Sequence, residues 1–292
     1  MRAWAFICVW LAVQFSGHAA ELPDIRTVPA DLTVPALTEG SLAPGKRLKH
    51  TLGGFQTTPV YHVLYLPTDW KPGAKLPVLV EFAGNGGYSN RFGDISTGRP
   101  EGSNLGYGLS AGRGFLWLCV PYLNAAGDDL ALTWWGDAAN RDPQPTLKYC
   151  REAVSRVCRD FGGDEARVVL LGFSRGAIAC NYLGLHDDAT AKLWCGFLAY
   201  SHYDGVRAWP YPSSDRASAL TRLQRLGSRP QFICGESGNA SETERYLKPL
   251  LPDANLTFLG TGFRNHNDAW TLRPNPAREQ ARVWLAKVTA TR

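Results

Sequence analysis

The 292 residues predict an α/β protein with a mostly parallel central sheet and helices on both of its faces. Three observations carry that expectation. Short apolar runs alternate with amphipathic segments along most of the chain, as strand–helix units do. Several of the runs are apolar almost without a break, which suits strands buried on both faces. Turn residues separate the segments while no Pro/Ser-rich linker divides them, so one domain over residues 21–292 is expected.

Each element follows from local pattern. Tyr61–Leu66 is a β-branched and aromatic run stopped by Pro67. Pro77–Phe82 (PVLVEF) is apolar except for Glu81, and Phe115–Val120 (FLWLCV) repeats that character. From Thr146 to Phe161, Leu147, Cys150, Ala153, Val154, Val157 and Cys158 fall at helical spacing, and Gly162-Gly163 closes the segment. Arg167–Leu171 (RVVLL) then reads as a strand, Gly176–Leu185 as a helix and Trp194–Tyr200 as a strand. Ser213–Leu226 reads as a helix opened by a serine/aspartate cap, with the strand Gln231–Cys234 after it. Ser241–Leu251, Leu256–Leu259 and Ala277–Val288 complete the alternation. In such a sheet polar chemistry gathers at the carboxyl ends of the strands.

Composition narrows the function classes. With 45% hydrophobic and 20% charged residues the chain is neither disordered nor of low complexity. Its net charge of +5 is spread along the sequence, which argues against a dedicated nucleic-acid surface. Arg2, the apolar run Ala3–Phe15 and the small residues Gly17, Ala19 and Ala20 describe a secretory signal peptide over residues 1–20. The run is shorter than the ~20 residues of a spanning helix, so a secreted or periplasmic protein without stable membrane insertion is expected. Past the leader, cysteines stand at 119, 150, 158, 180, 195 and 234, none at the C-x-x-C spacing of a zinc or redox site. Cys119 and Cys234 read as buried thiols, and Cys180 with Cys195 as a candidate bridge.

The motif that carries chemistry is Gly172-Phe173-Ser174-Arg175-Gly176. It follows the strand RVVLL and opens a helix rich in small residues. A serine on a sharp strand-to-helix turn needs such small neighbours, and the turn lifts its hydroxyl above the sheet while aiming a helix N-terminus at a reacting carbonyl. This is the arrangement of a nucleophile elbow.

At this motif the chain resembles the α/β-hydrolase superfamily, over about residues 55 to 290. Within it the chain looks most like secreted serine esterases of the poly(3-hydroxybutyrate)-depolymerase-like group. Phe263-Arg-Asn-His266-Asn-Asp-Ala-Trp270 is similar to that group's C-terminal histidine segment. Glu81-Phe-Ala-Gly84-Asn85-Gly86-Gly87 is similar to the superfamily's oxyanion loop, with Ala83 where a histidine is common.

Roles follow from charge. Attack on an ester puts negative charge on the carbonyl oxygen, to be met by the amide of Arg175 and that of Asn85 or Gly86. His266 alone among the histidines follows the last expected strand, the place that Ser–acid–His order requires of the base. The acid has two candidates. Glu236 follows the strand QFIC, two places ahead of the usual aspartate position, and Asp204 follows the preceding strand. Asp268 stands too close to His266 to reach its ring and is expected to brace the loop. The Arg175 side chain reads either as a donor to an anionic group of the substrate or the oxyanion, or as a surface salt bridge. Trp134-Trp135 and the Gly-rich stretch Tyr88–Gly112 belong where a substrate cleft should lie.

The expected function is an exported serine hydrolase that cleaves carboxylic esters through an acyl-enzyme, with polysaccharide esters and polyesters both open. It needs no metal and no organic cofactor. A peptidase or acyltransferase of the same fold, and a non-catalytic binding protein that kept the fold, are the alternatives.

Overall fold

The computed structural model describes residues 21–290, and the expected leader lies outside them. In chain order the elements are β1 (Arg47–His50), β2 (His62–Tyr65), β3 (Leu76–Phe82), β4 (Tyr88–Ser89), β5 (Ile95–Ser96), α1 (Leu105–Ser110) and β6 (Leu116–Val120). Then come α2 (Gln144–Phe161), β7 (Gly163–Phe173), α3 (Arg175–Tyr182), α4 (Asp188–Ala191), β8 (Gly196–Tyr200) and α5 (Arg216–Leu223). The chain finishes with β9 (Gln231–Gly235), α6 (Asn239–Leu247), β10 (Leu256–Gly260) and α7 (Pro276–Val288). Eight strands form one sheet in the order β1-β2-β6-β3-β7-β8-β9-β10, and β4 pairs with β5 as a separate hairpin. Within the large sheet β2 runs antiparallel to both of its neighbours, whereas the remaining pairings are parallel. No helix among the described residues is long and apolar enough to cross a membrane.

The strands are apolar on both sides because both sides are covered. Along β7, Val168 and Leu170 pack with Leu147, Val154, Ile178, Leu223 and Leu247 of α2, α3, α5 and α6. Their neighbours Val169 and Leu171 point the other way, into a layer with Leu105, Leu109, Ala281 and Leu285 of α1 and α7. Helix ends follow the expected chemistry. Asp215 caps α5 by accepting from the Ser218 amide at 2.9 Å, Asn275 caps α7 through Arg278, and Gly162 ends α2 in a left-handed conformation.

Three features depart from the sequence reading. β1 is an additional strand, and α1 and the β4–β5 hairpin lie inside the Gly-rich stretch. Glu81, the exception in an apolar strand, is fully buried: its carboxylate accepts from the amides of Leu105 and Gly106 (3.0 and 2.8 Å) and from the Trp117 indole (2.8 Å). It thus caps the start of α1 from inside the protein. The candidate bridge between Cys180 and Cys195 is not formed; Cys180 is buried with its sulfur 3.5 Å from the Leu198 carbonyl.

Candidate active site

Ser174 stands at the junction of β7 and α3 with φ 55° and ψ −112°, a conformation an L-residue holds only under local compulsion. Its amide donates to the Tyr200 carbonyl at 2.9 Å, which pins the turn to β8. The two motif glycines explain why the turn closes. A Cβ on Gly172 would lie 2.0 Å from the Gly176 carbonyl oxygen, and one on Gly176 would lie 2.0 Å from that of Phe82. Only glycine lets strand, turn and helix approach this closely.

The structure brings Ser174, His266 and Glu236 together. The His266 ring reaches Ser174 Oγ with Nε2 at 3.0 Å and Glu236 Oε1 with Nδ1 at 2.7 Å. All three residues are buried. Glu236 Oε1 also accepts from Ser201 Oγ at 3.0 Å and from Asn239 Nδ2 at 2.9 Å. Burial pushes the Glu236 carboxyl up, but the bond and charge of His266 and the Ser201 hydroxyl outweigh it, so the acid is held below its ordinary range. Glu236 is therefore an anion that accepts from the imidazole N–H.

Asp204 is not at the ring. Its two oxygens are taken, Oδ2 by the Arg222 guanidinium and Oδ1 by the Tyr211 hydroxyl, at 2.9 and 2.8 Å, in a buried cluster against α5.

The oxyanion candidates also separate. Arg175 begins α3, and its amide precedes the first helical bonds, which the Ala177 and Ile178 amides make to the Ser174 carbonyl at 3.0 and 3.2 Å. The Gly86 amide is committed, donating to the Leu132 carbonyl at 2.7 Å, which leaves the Asn85 amide as the loop's remaining candidate. Asn85 Oδ1 accepts from the Trp134 amide at 2.8 Å and so fixes the loop from its side chain. The Arg175 side chain takes neither of its expected parts. It is buried, lies 3.7 Å over the Tyr122 ring and donates to the carbonyls of Gly84 (3.0 Å), Gly98 (3.2 Å), Ala131 (3.1 Å) and Trp134. It ties together the loops that surround the serine. Burial pulls its guanidinium down to about 10, still charged at neutral pH.

Residues that the sequence did not single out hold the histidine. Asp94, in the turn of the β4–β5 hairpin, accepts from the His266 amide (3.1 Å) and from Asn265 and Asn267 side chains (2.9 and 3.3 Å). Tyr200 donates to the Asn265 carbonyl at 2.9 Å. The Tyr88, Phe173 and His202 rings enclose the imidazole with centroids 4.9, 4.7 and 5.1 Å away. Asp268 braces the loop as expected, accepting from Asn104 through its amide (3.1 Å) and side chain (2.7 Å). Burial, with Glu81 nearby, lifts its carboxyl to about 7. The early chain adds a strap. The Arg264 amide donates to the Pro23 carbonyl at 3.1 Å, the Ile25 amide to Asn265 Oδ1 at 2.7 Å, and the Asp31 and Leu32 amides to the Leu272 carbonyl at 3.1 and 3.2 Å. The run of asparagines around His266 was the one available signal of this network.

Aromatic residues rim the approach. Trp135 is fully buried between Tyr122 and Tyr182, a core role. Trp134 is half-buried, with its ring centroid 5.7 Å from that of Trp209, whose own lies 5.2 Å from His202.

No family model matches the chain, and no curated protein matches it in sequence. Solved structures do match. A thermostable esterase aligns with TM-score 0.51 and 16% identity over 82% of this chain, which spans 62% of that protein's length. The esterase Est22 aligns at TM-score 0.52 and 16% identity, covering 84% of this chain and 81% of that one. An acetyl ester-xyloside bifunctional hydrolase from Caldicellulosiruptor lactoaceticus gives 0.51 and 14%, covering 86% and 98%. The likeness shows the fold: an eight-stranded, mostly parallel sheet with helices around it, the α/β-hydrolase fold.

Proposed function

We propose that the chain is a serine hydrolase that cleaves carboxylic esters through an acyl-enzyme, nearest in kind to secreted poly(3-hydroxybutyrate)-depolymerase-like esterases. The observation that carries the reading is the hydrogen-bonded series from Ser174 Oγ to His266 Nε2 and from Nδ1 to Glu236 Oε1. Nε2 takes the hydroxyl proton as Oγ attacks the ester carbonyl carbon, and the carbonyl's π electrons move to its oxygen. The amides of Arg175 and Asn85 meet that oxyanion. Collapse breaks the C–O bond to the alcohol, which leaves with the proton from Nε2. Water then enters by the same route, activated by His266, and releases the acid and Ser174. Glu236 holds the imidazole in the tautomer with Nε2 unprotonated and steadies the imidazolium that forms.

Ester cleavage is the reading the neighbours above support, and a peptidase of the same fold is the alternative, since a putative dipeptidyl aminopeptidase IV from Bacteroides ovatus aligns at TM-score 0.54. Export belongs to the same proposal, supported by Arg2 and the apolar run that follows.

Hydrolysis of p-nitrophenyl acetate by the chain without residues 1–20, beside Ser174→Ala, tests it. The substitution should lower kcat by at least about a thousandfold, and a fluorophosphonate should label the parent but not the variant. Equal turnover by both, or no labelling of the parent, overturns the reading.

A further inference from the structure

We propose that Ser201 is a positioning residue for this machinery, fixing the acid and the base against each other; the inference rests on the roles given to Ser174, His266 and Glu236. Ser201 follows β8 directly, between the strands that carry the nucleophile and the acid. It is buried and holds φ 89° without being a glycine. Such a backbone is strained and persists where the surroundings over-determine it. Part of that compulsion is its amide, which donates to the Cys234 carbonyl of β9 at 2.8 Å. The result is that Oγ lies between the two groups whose relation matters most.

The bonding is specific. Oγ is 3.0 Å from Glu236 Oε1 and 2.9 Å from His266 Nδ1, with Asn239 Nδ2 at 3.4 Å and His202 Nδ1 at 3.5 Å. A hydroxyl has one proton, and against a carboxylate that proton goes to Oε1. Its lone pairs then accept a share of the Nδ1–H, which is forked between Glu236 and Ser201. The fork gives the Nδ1–H a second acceptor, which narrows the tilt of the imidazole beyond what Glu236, Ser174 and the enclosing rings impose.

The carboxylate depends on the same hydroxyl. Its anchoring falls on Oε1, which receives from His266, Ser201 and Asn239, whereas Oε2 is buried without a hydrogen-bond partner among the described residues. Without Ser201 the group can rotate to share its remaining donors between both oxygens, and the bond to Nδ1 slackens. Ser201 also holds the Glu236 carboxyl down, so its loss brings protonation of the acid nearer the working range.

Ser201→Gly removes the hydroxyl while suiting the positive φ, and Ser201→Ala removes it while keeping Cβ; each is a sufficient test, read alongside Ser174→Ala on p-nitrophenyl acetate. The expected result is a kcat about tenfold lower with KM within about twofold, the size of one lost bond to a charged group. The glycine variant should melt no lower than the parent, and the acid limb of its kcat profile should move to higher pH. A kcat within twofold of the parent, with a superimposable pH profile, overturns the inference. If Ser174→Ala hydrolyses as well as the parent, the reading of the site itself fails, whatever the Ser201 variants do.

Discussion

Arg175→Met isolates what the buried guanidinium contributes. Methionine fills most of the arginine stem but donates nothing, so four backbone carbonyls lose their partner. The bonds to Gly84 and Gly98 are fully buried, while those to Ala131 and Trp134 lie nearer solvent. An acceptor stranded away from water costs about 1–3 kcal/mol, and one that water can reach costs little. Taking roughly 1.5 for each buried carbonyl gives about 3 kcal/mol, or about 6 to 12 °C in Tm for a domain of this size. The loss should also appear in catalysis, because Gly84 directly precedes the Asn85 amide. Arg175→Lys should recover part of the stability, since an ammonium has three donors but lacks the planar fork. Thermal melts by circular dichroism, with kcat on p-nitrophenyl acetate, measure both effects. An Arg175→Met protein melting within 2 °C of the parent would refute the reasoning, because desolvation of the charge would then offset all of its bonds.

The two acids can be separated by symptom. Glu236→Gln should lower kcat by about 10²–10⁴-fold, as loss of the orienting acid does, with little change in Tm. Asp204→Asn should leave kcat within a few-fold but cost about 3 kcal/mol or more, having broken the buried pair with Arg222; the opposite pattern in kinetics and urea melts would reverse the assignment. His202 predicts an acid weakness. Burial and the charge of His266 hold its imidazole down at about 4, so between its ordinary 6.5 and about 4 the unfolded chain takes up a proton that the folded one refuses. Stability present above pH 6.5 is therefore lost as pH falls through that window, by about 2 to 3 kcal/mol. Urea midpoints of His202→Phe should fall less steeply than the parent's from pH 7 to 4.5, and parallel curves would exclude this origin.

What the sequence could show follows from which forces are local. The β7 strand, the elbow and the amphipathic α2 are written in consecutive residues, since periodicity and turn chemistry need no knowledge of partners. His266 was singled out by chain order and by the resemblance of the Phe263–Trp270 segment. The choice between Glu236 and Asp204 was not legible, because Arg222 and Tyr211, which claim Asp204, reach it only in the folded chain. Arg175 misled for the same reason: a charged residue beside a nucleophile suggests solvent or substrate, yet its partners are carbonyls of three other loops. α1 was hidden because Leu-Gly-Tyr-Gly-Leu-Ser is a poor helix on its own, formed here where the Glu81 carboxylate receives its first amides. Ser201 and Asp94 act through side-chain positions that no spacing rule encodes.

The strap from Pro23 to Leu32 gives the site a temporal order. A chain made from its amino end has Ile25 in hand 240 residues before Asn265 exists to receive its amide. The elbow draws on β3, β7 and β8, which all precede the acid in the chain. The base draws on more of the chain, because its loop is gripped on one side by the earliest described residues and on the other by Asp94. Of the three groups, the histidine is thus the one whose place depends on the two most distant parts of the described chain. On the proposed reading, turnover reports that the segment around Ile25 has met the His266 loop.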